Sequence, residues 1–135
     1  MQTLLDAGPL IALFAPRDHE HIRVRNFLRE SKLRLLTTWP VVTEAWHLLA
    51  PKQRITMVRW LKAGGAAVGP FDDEGSQDLV DWLEKYRDLP MDLADASLVM
   101  LACKSGITGI LTLDRCDFLT YRLPGNKRFH LVLDA

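Results

Sequence analysis

Residues 2–14 read Gln2-Thr3-Leu4-Leu5-Asp6-Ala7-Gly8-Pro9-Leu10-Ile11-Ala12-Leu13-Phe14. An apolar run that stops abruptly at a carboxylate, followed at once by small residues and a proline, leaves few folds open. The run predicts a buried strand over 2–6. Asp6-Ala7-Gly8-Pro9 predicts a turn, with Pro9 in the first turn of a helix that Pro16 ends. The same pattern returns near the other end, where Thr108-Gly109-Ile110-Leu111-Thr112-Leu113 predicts a strand and Asp114 follows it. In an open sheet with helices on its faces, the carboxyl ends of the strands are where ligands bind. An acid in that place is costly to keep charged without a cation or hydrogen-bond donors.

Between these two runs, helical and strand patterns alternate. A second helix is expected from Asp18 to about Ser31, with Ile22, Val24, Phe27 and Leu28 as its apolar face. Leu33, Leu35 and Leu36 predict a short strand ending at Thr37-Thr38. Thr38 suits a helix cap and Pro40 the first turn of the helix that carries Glu44, Trp46 and His47. Pro51 breaks that helix, and another runs through Ile55, Val58, Trp60 and Leu61 to Gly64-Gly65. Ala66-Ala67-Val68 predicts a strand. Asp72-Asp73-Glu74 predicts a helix start, with acids in the favoured first turn, and Leu89-Pro90 its stop. A strongly apolar helix then opens at Met91-Asp92-Leu93-Ala94-Asp95 and stops at Gly106. Arg115–Tyr121 reads as a loop or short helix, and Phe129–Leu133 as a last strand. This alternation predicts an α/β/α sandwich on a central, mostly parallel sheet.

The 135 residues suit one domain spanning 1–135, with 48% hydrophobic and 25% charged residues as in an ordinary globular protein. No apolar run reaches the roughly 18–20 residues needed to span a bilayer, and the N-terminus lacks signal-peptide architecture. Cys103 and Cys116 make neither a disulfide framework nor a zinc spacing. Cys103 is expected in the core and Cys116 in a turn, and the expected compartment is the cytoplasm. Net charge is zero, but residues 72–95 carry nine carboxylates against only Lys85 and Arg87. Basic segments flank them, a distribution suited to a metal-dependent enzyme acting on phosphates.

Four acids break their local pattern: Asp6 and Asp114 at strand ends, Glu44 within an apolar helix, and Asp95 among Ala94, Ala96 and Leu98. Such breaks mark functional sites. Clustered carboxylates repel one another, and a hard divalent ion such as Mg²⁺ or Mn²⁺ relieves that repulsion. It also polarises a phosphate and lowers the pKa of a bound water. Asp6 and Asp95 are the first candidates for direct ligands. Glu44 ligates or orients a water, and Asp114 completes the site or holds a second ion. Asp6 could equally be a helix cap, and Asp92, one turn before Asp95, reads as an N-cap that shares its face. No residue offers itself as a nucleophile, since Ser97 has no nearby partner and His19, His21, His47 and His130 form no ligand spacing. Arg17, Arg23, Arg25, Arg115 and Arg122 are candidates for phosphate contacts. A receiver-type phosphoacceptor would want paired acids after the first strand and a late lysine. A dehalogenase-like phosphatase would want an acid at Gly8.

Leu4-Leu5-Asp6-Ala7-Gly8-Pro9-Leu10, Thr43-Glu44, Leu93-Ala94-Asp95-Ala96 and Leu111-Thr112-Leu113-Asp114-Arg115-Cys116-Asp117-Phe118 together resemble, in order and spacing, the PIN-domain ribonucleases, and within them the VapC-type toxins of toxin–antitoxin pairs. The resemblance covers essentially the whole chain. It implies a Mg²⁺- or Mn²⁺-dependent endoribonuclease with Asp6, Glu44, Asp95 and Asp114 as the acidic site and the Thr112 hydroxyl beside it. Asp117 competes with Asp114 for the fourth place, and Asp114 is preferred because it directly follows the strand. The implied partners are an RNA substrate, a cognate antitoxin and a second copy in a homodimer, with no membrane. The implied reaction is in-line attack of a metal-activated water on an RNA phosphodiester. The alternative is a PIN-fold protein-binding module with little nuclease activity.

Overall fold

The first strand, β1 (Gln2–Leu5), is buried at Thr3, Leu4 and Leu5 and lies at the centre of a five-stranded sheet. The computed structural model describes residues 1–70, 76–89 and 91–134. After β1 come helices α1 (Ala7–Phe14) and α2 (His21–Glu30), strand β2 (Arg34–Thr38), helices α3 (Trp39–Leu48) and α4 (Pro51–Lys62), and strand β3 (Ala66–Gly69). Helices α5 (Ser76–Lys85) and α6 (Leu93–Ser105) lead to β4 (Gly109–Leu111) and the short helix α7 (Arg115–Thr120). The chain closes with β5 (Arg122–Leu123), β6 (Lys127–Arg128) and β7 (His130–Leu131), then a 3-10 turn over Val132–Asp134.

The sheet order is β3-β2-β1-β4-β7, and every pairing in it is parallel. Register sets Leu4 beside both Leu36 and Ile110, and Leu5 beside Leu111. The chain winds outward from β1 through β2 to β3, then returns to place β4 on the other side of β1. Right-handed crossovers therefore put α1–α4 on one face and α5–α6 on the other. The gap between the carboxyl ends of β1 and β4 is the topological switch point, where doubly wound folds open a crevice.

Local chemistry explains where the helices begin and end. Thr38 caps α3 through its hydroxyl, with Pro40 in the first turn. Pro51, read as a breaker, occupies the first turn of α4, where its missing N–H leaves nothing unpaired. Gly106 ends α6 with φ of 77°, a left-handed position that suits glycine. Helix α6 is buried continuously from Ala94 to Ala102, so it shows no amphipathic stripe.

Some boundaries differ from the sequence expectation. No turn intervenes over 6–9, because Asp6 itself caps α1, which starts at Ala7. Helix α2 begins at His21, while Asp18 folds back to accept the Glu20 N–H. Ile22 is exposed, which leaves Val24, Phe27 and Leu28 as its inward face. Strand β4 is shorter than expected, so Asp114 lies beyond Thr112 and Leu113 rather than at the strand end. Cys116 sits exposed in α7 rather than in a turn, and Cys103 is half-buried. The predicted final strand is reduced to β7, and the antiparallel β5–β6 pair precedes it. The helix start expected at Asp72-Asp73-Glu74 lies outside the described residues, as does Pro90.

Candidate metal centre

Asp6 turns the end of β1 into the start of α1. Its Oδ1 accepts the Ala7 N–H at 2.8 Å, and its Oδ2 accepts the Thr112 hydroxyl at 2.7 Å. The residue is 5% exposed. The side chain therefore caps a helix at the switch point, and its second oxygen is held by Thr112. Thr112 follows β4, and the Leu5–Leu111 register brings it alongside Asp6. The Thr112 hydroxyl also accepts the Asp114 N–H at 2.9 Å. One buried hydroxyl thus donates to the first acid and accepts from the backbone of another.

Asp92 caps α6, its Oδ1 accepting the Asp95 N–H at 2.8 Å. Asp95 lies one turn in, 6% exposed, and its Oδ2 accepts the Tyr121 O–H at 2.9 Å. Tyr121 is wholly buried and meets Phe118 and Tyr86 edge-on at 5.3 and 5.1 Å. Asp114 caps α7, accepting the Asp117 N–H at 3.1 Å. Carboxylate oxygens of Asp95, Asp114 and Asp117 lie within 4.8 Å of one another. Both acids of the last motif are thus brought to Asp95.

Glu44 reaches the same region from the middle of α3, half-buried and repelled by Asp92 and Asp6. With Asp92, Trp39, Pro40, Thr43 and His47 it lines a cavity of about 500 Å³. A second cavity, of about 510 Å³, is bordered by Asp6, Asp114, Arg115 and Cys116. Helices α3 and α6 are tied together beneath the acids. The Thr38 and Ser97 hydroxyls are 2.6 Å apart, and Ser97 donates to the Ala94 carbonyl at 2.7 Å.

The electrostatics record the crowding. Burial pushes Asp95 up to about 8; Asp6, Asp92 and Asp114 push the same way, against the Tyr121 hydrogen bond. Burial likewise pushes Asp6 up to about 6, held back by its bonds from Thr112 and Ala7 and raised by Asp92 and Asp114. Glu44 is raised by burial, then by Asp92 and Asp6. Asp117 is raised by burial and by Asp114. The Tyr121 phenol is raised by burial and by Asp95, so it stays a donor. Among the described residues, none of these carboxylates is in an ion pair with lysine or arginine. A crowded, partly buried set of hard oxygen donors, with no lysine or arginine ion pair among the described residues, could hold a hard divalent cation.

Tyr121 and Ser97 are structural partners of this site that the motifs did not reveal. Ser97 was visible as a polar residue in an apolar helix, the same signal that singled out Asp95. Tyr121 had no local signal, because its partner is 26 residues away. The histidines are scattered: the His21 imidazole pairs with the Ala12 carbonyl at 2.7 Å, and only His47 borders the Glu44 cavity.

The chain is a doubly wound parallel sheet with acids from several chain segments near its switch point. No family model matches the chain. Ribonuclease VapC26 of Mycobacterium tuberculosis (strain ATCC 25618 / H37Rv) is 29% identical over 136 residues, spanning 96% of this chain and 98% of that protein. The crystal structure of Mycobacterium tuberculosis VapC20, a sarcin-ricin loop cleaving toxin, superposes with a TM-score of 0.76. It covers 83% of this chain and 89% of that one at 16% identity, a likeness of fold. The chain is thus similar over nearly its whole length to a VapC ribonuclease and shares the fold of a VapC toxin.

Proposed function

We propose that this chain is a divalent-metal-dependent endoribonuclease, folded as one domain over 1–135 and acting as the toxin of a toxin–antitoxin pair. The observation that carries this reading is the group of Asp95, Asp114 and Asp117, whose carboxylate oxygens lie within 4.8 Å of one another, with Asp6 near enough to raise the pKa of both Asp95 and Glu44 and, among the described residues, no lysine or arginine ion pair to any of them. The whole-length similarity to a VapC ribonuclease supports it.

Asp6, Asp95 and Asp114, with Glu44 beside them, would hold Mg²⁺ or Mn²⁺, and Asp117 is within reach of the same place. The bound ion would polarise the phosphate and lower the pKa of a water. The chain's own residues do the rest by position. Thr112 fixes the orientation of Asp6, and Tyr121 fixes that of Asp95. Asp92 holds the first turn of α6 so that Asp95 faces inward. Glu44, on the cavity side, is the acid best placed to orient the attacking water. No side-chain nucleophile is needed, and Ser97 is 1% exposed with its hydroxyl engaged.

Partners follow from the same reading: an RNA substrate, a cognate antitoxin and a second copy of the chain. Trp46, Leu48, Ile55 and Val58 are exposed on α3 and α4 and offer an apolar face for protein contacts, while Trp60 packs on Phe14 at 5.4 Å. The test is RNA cleavage by the purified chain with Mg²⁺ or Mn²⁺, then with EDTA and with Asp6→Asn and Asp95→Asn. Cleavage that both variants and EDTA leave intact would overturn the proposal.

A further inference from the structure

On the side of the acids away from Trp39, the cavity bordered by Asp6, Asp114 and Arg115 adjoins a second one. The two share Gly8 and Leu113 as common walls, and the second, of about 410 Å³, is bordered by His19, Glu20 and Arg23. They adjoin as one groove, bordered by Arg115 and Arg23 and also by the acids Asp18 and Glu20. Asp134, in the closing 3-10 turn, reaches both arginines. Its Oδ2 is 3.1 Å from Arg115 Nε, and its Oδ1 accepts from Arg23 Nη2 at 3.2 Å. Arg23 Nη1 also donates to Glu20 at 3.3 Å. Asp134 is 24% exposed, whereas the arginines it holds are 51% and 65% exposed. Among the described residues Arg115 has no other hydrogen bond, so both its terminal nitrogens are free beside a cavity that contains two of the acids.

We propose that Arg115 and Arg23, held by Asp134, bind an RNA backbone phosphate flanking the one that is cut; this rests on the nuclease reading above. The chain carries no net charge, and its centre repels a polyanion, so a substrate must be held by cations at the border of the site. Arg115, paired through Nε, keeps both terminal nitrogens for bidentate contact with a phosphate, while Arg23, whose terminal nitrogens already meet Glu20 and Asp134, adds positive charge and its remaining N–H groups. Asp134 is a positioning residue. It fixes two side chains from α2 and α7, whose flexible stems would otherwise be ordered at the moment of binding. These contacts position the RNA and read no sequence.

The experiment measures the affinity of a labelled single-stranded RNA in an Asp95→Asn background, with Mg²⁺, across a series of KCl concentrations. Arg115→Ala and Arg23→Ala are each expected to weaken binding about tenfold. Each should make the log–log salt dependence shallower, and the double variant by about 0.7 in all, the value for one phosphate contact on a single strand. Arg115→Lys keeps the salt dependence and recovers part of the affinity. Asp134→Asn keeps the salt dependence but weakens binding several-fold. Arg87→Ala, an exposed arginine beyond the end of α5, changes neither quantity. Unchanged salt dependence in both arginine variants overturns the proposal, and Asp134→Asn binding as tightly as its parent or tighter removes Asp134 from it. Those outcomes are separate from the nuclease reading, which stands or falls on whether the native chain cuts RNA at all.

Discussion

Asp95 gives the most demanding prediction, because removing it should make the metal-free protein more stable. Its carboxyl is 6% exposed, and burial among Asp6, Asp92 and Asp114 pushes it from 3.8 to about 8. Between those two pH values the folded chain keeps a proton that the unfolded chain releases. The unfolded state therefore binds fewer protons, and stability falls as pH rises through this window, by about 1.4 kcal/mol per pH unit. At pH 7 the accumulated loss is about 4 kcal/mol. Asparagine has nothing to ionise, and its amide oxygen can still accept the Tyr121 hydroxyl. Asp95→Asn is expected to stabilise the protein in EDTA by about 2–4 kcal/mol at pH 7, the lower figure applying if Asp6 and Asp92 relax with it. The gain should grow by about 1 kcal/mol to pH 8 and fall nearly to nothing by pH 4. Urea unfolding at pH 4, 7 and 8, with and without Mg²⁺, measures it. Mg²⁺ should raise the stability of the parent by mass action and leave the variant almost unmoved. A variant less stable than its parent at pH 8 in EDTA, or a gain independent of pH, would show that the carboxylate is not held in a charge-averse setting.

Mg²⁺ affinity should rise with pH up to about 8, because the proton on Asp95 must leave, and more steeply below about 6, where Asp6 also holds one; titration calorimetry in buffers of different ionisation enthalpy reads the protons released. Thr112→Val removes the hydroxyl that donates to Asp6 and receives the Asp114 N–H, so metal affinity or activity should drop by about 10–100-fold. Tyr121→Phe leaves the aromatic cluster filled but takes the donor from Asp95, and should raise the pH at which activity appears, as a pH–rate profile would register. Ser97→Ala strands the Thr38 hydroxyl and should cost about 1–2 kcal/mol in urea unfolding, with a smaller effect on the chemistry than Thr112→Val.

The parts of the fold that local chemistry dictates were legible. Apolar runs marked β1 and β2, Thr38 with Pro40 marked the start of α3, and Gly106 marked the end of α6. Glu44 and Asp95 stood out because a charge in an apolar helix has no local purpose. The misses share another cause. Asp6 was read as cap or ligand, and only tertiary pairing reveals that one oxygen caps α1 while the other is held by Thr112. The short β4 and β7 and the β5–β6 pair are set by what neighbouring strands offer rather than by their own residues. Tyr121 is bound to Asp95 across 26 residues, a separation no periodicity encodes. Asp134, which reaches Arg23 over 111 residues, lay in a stretch whose local pattern suggested only a strand end.

The placement of β1 between β2 and β4 also has a temporal consequence. The strand that leads into Asp6 is made before the others of the sheet, yet its neighbour on one side ends only at Leu111, and Asp114 and Asp117 come later still. A chain growing from its N-terminus can pair β1 with β2 and bury much of α1 and α3 long before Thr112 exists to meet Asp6. For most of its synthesis, then, the polypeptide carries scattered acids and no site. If the assembled centre cuts RNA, the sheet order keeps the unfinished chain harmless to the ribosome and message that are producing it.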